Sequence, residues 1–333
     1  MIFHPTILAL LIGSALSSVM VLAGAAFGVR VLRRWDIASG RHGQLVLERR
    51  TYLFSVLLAF VMVAELLSLL LFVFNADRMS AQFVGAMCAV GTLNANAFGF
   101  PALILKIAVF FLASVWLIVN HVDNMGYDYP LIRVKYAMLI VIAPVVLAAA
   151  GVQAAYFLDL DPEVITSCCG KLFTQDATGV SAELAGLDEK AALVLLFGSL
   201  ALAGVVAAVH ARTGQGGMLY GAVSVLVFVA AIAGIVSVVS LYVYEHPNHH
   251  CPFCLLKPEY GYFGYWLYVP LFAGTVLGMG GGPIAVFAGA PSLAEIAPRV
   301  SRRLVTTSMV CLTGFGAACA YAILSSGLIL FGT

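Results

Sequence analysis

Two thiols and three imidazoles fall within nine residues in the segment His246-Pro-Asn-His249-His250-Cys251-Pro-Phe-Cys254. A thiolate is a nucleophile and a soft-metal ligand, and the Cys-x-x-Cys spacing lets two sulfurs meet across one turn. If a helix opens at this turn, the sulfur of Cys251 lies near the positive end of the helix dipole, and the neighbouring His250 adds to thiolate stabilisation. Such a pair would exchange disulfides, with Cys251 as the attacking thiol and Cys254 as its resolving partner. The same residues offer a different chemistry: two thiolates with two of His246, His249 and His250 would satisfy a tetrahedral zinc site, and thiolates suit Cu(I). A structural disulfide is the plain alternative to both.

Cys168-Cys169, followed by Gly170, forms a second group. Adjacent cysteines bridge each other only with strain, because a disulfide normally wants Cα atoms about 5.5–6 Å apart. Each therefore looks elsewhere, with Cys88, Cys251 and Cys254 as candidate partners. Cys168, Cys169 and Cys88 would then relay electrons to the Cys251–Cys254 pair, or a static bridge would join Cys88 to Cys168 or Cys169. Cys311 and Cys319 sit in an apolar context, where free cysteine packs as a small hydrophobe.

The elements that must position these groups are membrane helices. Of 333 residues, 62% are hydrophobic and 10% charged, against the roughly 25% charged residues of soluble chains. Apolar blocks near residues 6–30, 51–75, 101–120, 136–157, 190–210, 218–244, 261–280 and 304–331 are each long enough for the roughly 20 residues that cross a hydrocarbon core. The sequence predicts an all-α polytopic bundle of about eight transmembrane helices forming a single integral membrane domain over residues 1–333. No internal repeat of short period is visible. Net charge is +1, and the absence of a basic stripe argues against nucleic acid as a partner.

Positive charge sets the expected orientation. Loops after the first, third, fifth and seventh spans hold twelve Lys and Arg residues, whereas the opposite loops and helix ends hold only Arg78, Lys106, Lys171, Lys190 and Lys257. Both termini should therefore lie outside, as a retained first span without a basic leader also suggests. The outer loops 76–100, 158–189 and 245–260 then carry five of the seven cysteines in a disulfide-permissive compartment. The expected setting is a bacterial inner membrane with these loops facing the periplasm.

Inside the bilayer, Glu65 and Lys106 are the ionisable groups. Charges there are costly and are paired or functional, and an ion pair between them is expected, with a proton or quinone role for Glu65 as the sharper reading. The helix after Cys254 is rich in aromatic residues, among them Tyr262 and Trp266, which suit an interfacial belt or a flat quinone pocket. Gly278, Gly280, Gly281, Gly282 and Pro283 read as the end of the seventh helix, or a hinge within it.

The Cys251-Pro-Phe-Cys254 turn ahead of a membrane helix resembles that of the quinone-coupled disulfide-forming membrane enzymes and their vitamin K epoxide reductase relatives. The resemblance implies a cycle in which outer-loop cysteines oxidise a partner's dithiol and pass the electrons to Cys251 and Cys254, which reduce a quinone. It covers about 30 residues, and two features depart from it: that family is a four-helix bundle, and it places an arginine near the quinone where this chain has Lys257 and Pro258. Cys-Pro-Phe-Cys also resembles a glutaredoxin active site, without the surrounding βαβ pattern. The series Cys88, Cys168-Cys169-Gly170, Cys251-x-x-Cys254 is similar to the Cys-Cys-Gly iron–sulfur modules of heterodisulfide reductases.

The leading expectation is a membrane thiol–disulfide oxidoreductase working between an outer-face thiol protein and the membrane, with a quinone as acceptor and Lys257, Tyr262, Trp266 and Glu65 as candidate quinone contacts. The first alternative is an outer-face protein that binds or delivers copper or zinc through His246, His249, His250, Cys251 and Cys254, with a metal-carrying partner. The second is a structural or haem-associated subunit of a larger membrane complex. Histidines lie at span ends rather than within spans, and Leu255 after Cys254 rules out a c-type haem attachment motif.

Overall fold

The computed structural model describes residues 4–37, 39, 41–161, 164, 166, 188–328 and 330. Among the described residues, eight helices are long and apolar enough to cross a membrane, as the composition requires. With no water in the hydrocarbon to pair backbone N–H and C=O groups, helices satisfy them internally.

These helices divide between two compact units, residues 1–166 with 288–296, and residues 167–287 with 297–333. The first unit contains α1 (Pro5–Arg34), α2 (His42–Met79), the short α3 (Ala89–Leu93), α4 (Gly99–Asp123) and α5 (Ile132–Leu158). Proline opens α1 at its first position, where the missing N–H costs nothing. Helices α1 and α5 pack closely, because Gly24 and Gly28 leave room for Leu139 and the Tyr136 ring, and Gly24 also admits Leu58 of α2. Gln153 of α5 donates its amide to the Leu10 carbonyl at 3.1 Å and to Ser14 Oγ at 3.2 Å on α1. Its other core residues include Trp116, Met62 and Tyr136.

The second unit contains α6 (Glu189–Thr213), α7 (Gly217–Gly234), α8 (Ser240–Tyr244), α9 (Phe263–Ile284) and α10 (Ile296–Ser325, whose first residue belongs to the first unit). Asp188 caps α6 by accepting from Ala191 N at 3.0 Å, and Gly214 ends it at a φ of 72°. Helices α7 and α8 form one span joined by a π turn, Ile235–Val239. The glycines expected to end or hinge the seventh span occupy the last turns of α9, which ends at Ile284, and they also serve packing. A Cβ on Gly282 would stand 2.2 Å from the Gly217 carbonyl oxygen, and one on Gly278 would stand 2.0 Å from Ser224 Oγ. Small residues let membrane helices approach closely, since apolar burial drives little association there.

Each unit has the same order of parts: two spans, a connection carrying short helical turns and a cysteine, then two more spans. Cys88 occupies that connection in the first unit, and Cys251 and Cys254 occupy it in the second.

Candidate functional site

The connection from Glu245 to Tyr262 in the second unit is irregular backbone, yet Cys251 and Cys254 within it are buried. Buried main chain outside a helix needs partners for its polar groups. The hydroxyl of Tyr244, at the end of α8, donates to the carbonyl oxygen of Cys251. The hydroxyl of Tyr268, in α9, donates to the carbonyl oxygen of Pro252 at 2.8 Å. Leu255 inserts into the apolar core of the unit. Gly264 allows the first turn of α9 to lie against this segment, with a Cβ there 2.9 Å from the Leu255 carbonyl carbon.

The Sγ atoms of Cys251 and Cys254 lie within 4.8 Å of each other. Disulfide formation brings sulfurs to about 2.05 Å, so these two sulfurs start within side-chain reach of one another. Cys254 opens only a short 3₁₀ turn, Cys254–Leu256, and the long helix begins at Phe263. The helix-terminal placement expected for Cys251 is therefore not present: Lys257-Pro258 and the left-handed residues Gly261 and Tyr262 intervene. Proline disfavours a helical conformation in the residue before it, so the helix cannot start at the cysteines.

The three histidines go to three different places. His246 is exposed, and its Nδ1 accepts from Asn248 N at 3.2 Å. His249 stacks on Tyr244, with ring centroids 4.0 Å apart. Partial burial, reinforced by the neighbouring His246 and His250, holds its imidazole below the ordinary value, so the neutral ring is favoured. His250 turns inward, with Nδ1 2.9 Å from the carbonyl oxygen of Val236 in the π turn. A carbonyl can only accept, so Nδ1 carries the hydrogen and the lone pair of the neutral ring is on Nε2. Among the described residues, no group of three convergent ligand atoms includes a histidine. The set of His246, His249, His250, Cys251 and Cys254 expected as one metal site is thus not gathered here.

The candidate quinone contacts are dispersed as well. Lys257 is half-buried in the loop, and its N–H closes the turn by donating to the Cys254 carbonyl at 3.0 Å. Tyr262 and Trp266 are 51% and 71% exposed, as belt residues facing lipid would be.

In the first unit, Cys88 is buried at the N-terminal boundary of α3. That connection is tied down by Tyr156, which donates to the Thr92 carbonyl at 3.1 Å, and by Asn96, which donates to the Tyr156 carbonyl at 3.0 Å. Glu65 is buried in α2, and Lys106 of α4 donates to Ser68 Oγ at 2.7 Å. Glu65 acts on Lys106 at a distance, but the direct ion pair expected between them is not formed among the described residues, because the ammonium reaches the serine one turn along the same helix. A buried ion pair does form in this unit between Lys135 and Asp123, at 2.6 Å. It closes the α4–α5 connection, where Asp123 also accepts from Leu131 N at 2.8 Å and Lys135 donates to Asn120 at 3.2 Å. Cys168 and Cys169 lie outside the described residues. Cys319 is buried in α10 within the apolar core of the second unit, in keeping with a packing role for that residue.

Sequence reasoning missed that Tyr244, Tyr268 and Gly264 hold the cysteine turn. Tyr244 closes the apolar block before the cysteine segment and Tyr268 lies in the aromatic run after it, and that was their only signal. Compared with known proteins, the chain matches no protein-family model, no curated protein and no solved structure.

Proposed function

We propose that the chain is a membrane thiol–disulfide oxidoreductase in which Cys251 and Cys254 cycle between dithiol and disulfide. The observation that carries this reading is the pair of cysteines in one Cys-x-x-Cys turn, buried and with sulfurs within 4.8 Å of each other. The four-span make-up of the unit holding them also supports the resemblance to the four-helix disulfide-forming enzymes, from which eight spans in one domain would depart.

In the proposed cycle an outer-face partner's dithiol reduces the Cys251–Cys254 disulfide, yielding the partner's disulfide and two thiols on the turn. The dithiol then gives two electrons and two protons to a membrane quinone, which leaves as the quinol while the Cys251–Cys254 bond re-forms. Cys88, Cys168 and Cys169 are the proposed relay thiols toward the partner. The reading sets both termini and the cysteine loops on the periplasmic side of a bacterial inner membrane.

The test uses the purified full chain, reduced and then freed of reductant under anaerobic conditions, with a water-soluble ubiquinone analogue followed by its absorbance. Quinol formation matched by loss of two thiols, and abolished in Cys251→Ser and in Cys254→Ser, is the expected result. Undiminished rates in both variants would overturn the reading. So would near-stoichiometric copper or zinc in the isolated protein that is lost when both cysteines are changed.

A further inference from the structure

Where α1 ends at Arg34 and α2 begins at His42, the first unit has a recess of about 820 Å³. Five guanidinium groups border it, those of Arg30, Arg33, Arg34, Arg41 and Arg50, against one carboxylate, that of Asp36. None of the five arginines forms an ion pair among the described residues. A charge bias that orients a membrane protein needs arginines on one side of the bilayer. It does not need five of them around one hollow, and Arg49 on the same helix stays out of it.

Two further features of the recess favour an anion. Helix α2 runs 38 residues and starts at the recess with no side-chain cap, so the positive end of its dipole lies beside the hollow. Gly43 lines it, and the space where a Cβ would stand there is open. The lining also includes the apolar side chains of Phe27 and Leu47.

We infer that this recess binds a phosphate group carried by an amphiphile, namely the headgroup of an anionic phospholipid. Guanidinium forks pair with phosphate oxygens bidentately, and the α2 N-terminus supplies further donors. Phe27 and Leu47 face the first carbons of the lipid, which a free phosphate would leave uncovered. Basic pockets between membrane helices hold anionic headgroups by this chemistry. The inference is independent of the thiol chemistry in the other unit.

The test is native mass spectrometry and thermal unfolding of the full chain in neutral detergent. Phosphatidylglycerol, phosphatidylcholine with the same acyl chains, and inorganic phosphate are added in separate arms. Retention of phosphatidylglycerol over phosphatidylcholine by about tenfold or more is expected. That preference should be lost in Arg33→Gln/Arg34→Gln/Arg41→Gln and kept in Arg49→Gln. Arg50→Gln alone should weaken it, and it carries the test if the triple variant does not fold. Protection by inorganic phosphate equal to that by phosphatidylglycerol would overturn the lipid as the source of the phosphate. Equal retention of the two lipids, or a preference unchanged in the recess variants, would overturn the site.

Discussion

The hydroxyl of Tyr268 reaches from α9 to the carbonyl oxygen of Pro252, 2.8 Å away, inside the Cys-Pro-Phe-Cys turn. Tyr244 makes the matching bond to Cys251 from the other flanking span. The turn is thus fastened through its main chain from two sides. A change in the oxidation state of the sulfurs need not unfasten it.

Tyr268→Phe and Tyr244→Phe should each lower stability by about 1 kcal/mol, rising toward 3 where the abandoned carbonyl stays dry. Thermal unfolding in detergent reads this loss. The same variants should label faster than the parent with a maleimide at Cys251 and Cys254 in the reduced protein. Unchanged labelling in the double variant would show that these hydroxyls do not hold the turn.

Gly264→Ala should be harmful out of proportion to its size. Its Cβ would meet backbone atoms of Leu255 at 2.9 and 3.0 Å, and backbone cannot swing aside as a side chain can, so a cost of about 1–3 kcal/mol follows. Gly13→Ala is the control, since nothing lies within 4 Å of its Cβ position. A melting temperature lowered for Gly264→Ala and unchanged or raised for Gly13→Ala is the expected pair of results.

The Lys135–Asp123 pair calls for a double-mutant cycle. Both side chains are almost fully buried, and removing one partner strands the other charge, at about 3–5 kcal/mol. Lys135→Met and Asp123→Leu should therefore each destabilise more than Lys135→Met/Asp123→Leu together. Additive losses across the cycle would mean that the pair does not act as a unit.

Lys106→Met should leave the Glu65 carboxylate buried without its nearby cation, costing about 1–3 kcal/mol, less than a directly bonded pair would. Adding Glu65→Gln should restore part of the loss, as read by thermal unfolding. No recovery would mean that Lys106 matters for its bond to Ser68 alone.

The membrane helices were legible in the sequence because length and apolarity are all that crossing a bilayer demands, and Tyr52 to Phe74 or Leu219 to Tyr244 show both. Helix ends were less so: α1 and α2 continue past their apolar blocks to Arg34 and back to His42, since charged residues extend a helix freely once it has left the hydrocarbon. The division into two four-span units left no mark, because it depends on which helices share a core and the repeated order of parts has no short sequence period. At the site, the Cys-x-x-Cys pair was visible as a motif and its two sulfurs are close together. The histidines misled because nearness in sequence says nothing of direction in an irregular loop: His249 found a tyrosine ring and His250 a backbone carbonyl. Lys106 took a serine in place of Glu65 because its long stem can reach either.

The π turn at Ile235–Val239 amounts to one residue inserted into an otherwise regular helix. Each residue of an α-helix advances the azimuth by about 100°, so everything after the insertion is out of phase with everything before it. Tyr244 lies downstream, and the direction in which its ring projects is set by that single added step. A deletion within the turn would keep the span helical and apolar while swinging the tyrosine away from the carbonyl of Cys251. The bearing of the cysteine turn is therefore encoded partly by a residue count inside the bilayer, at a place where no side chain announces it.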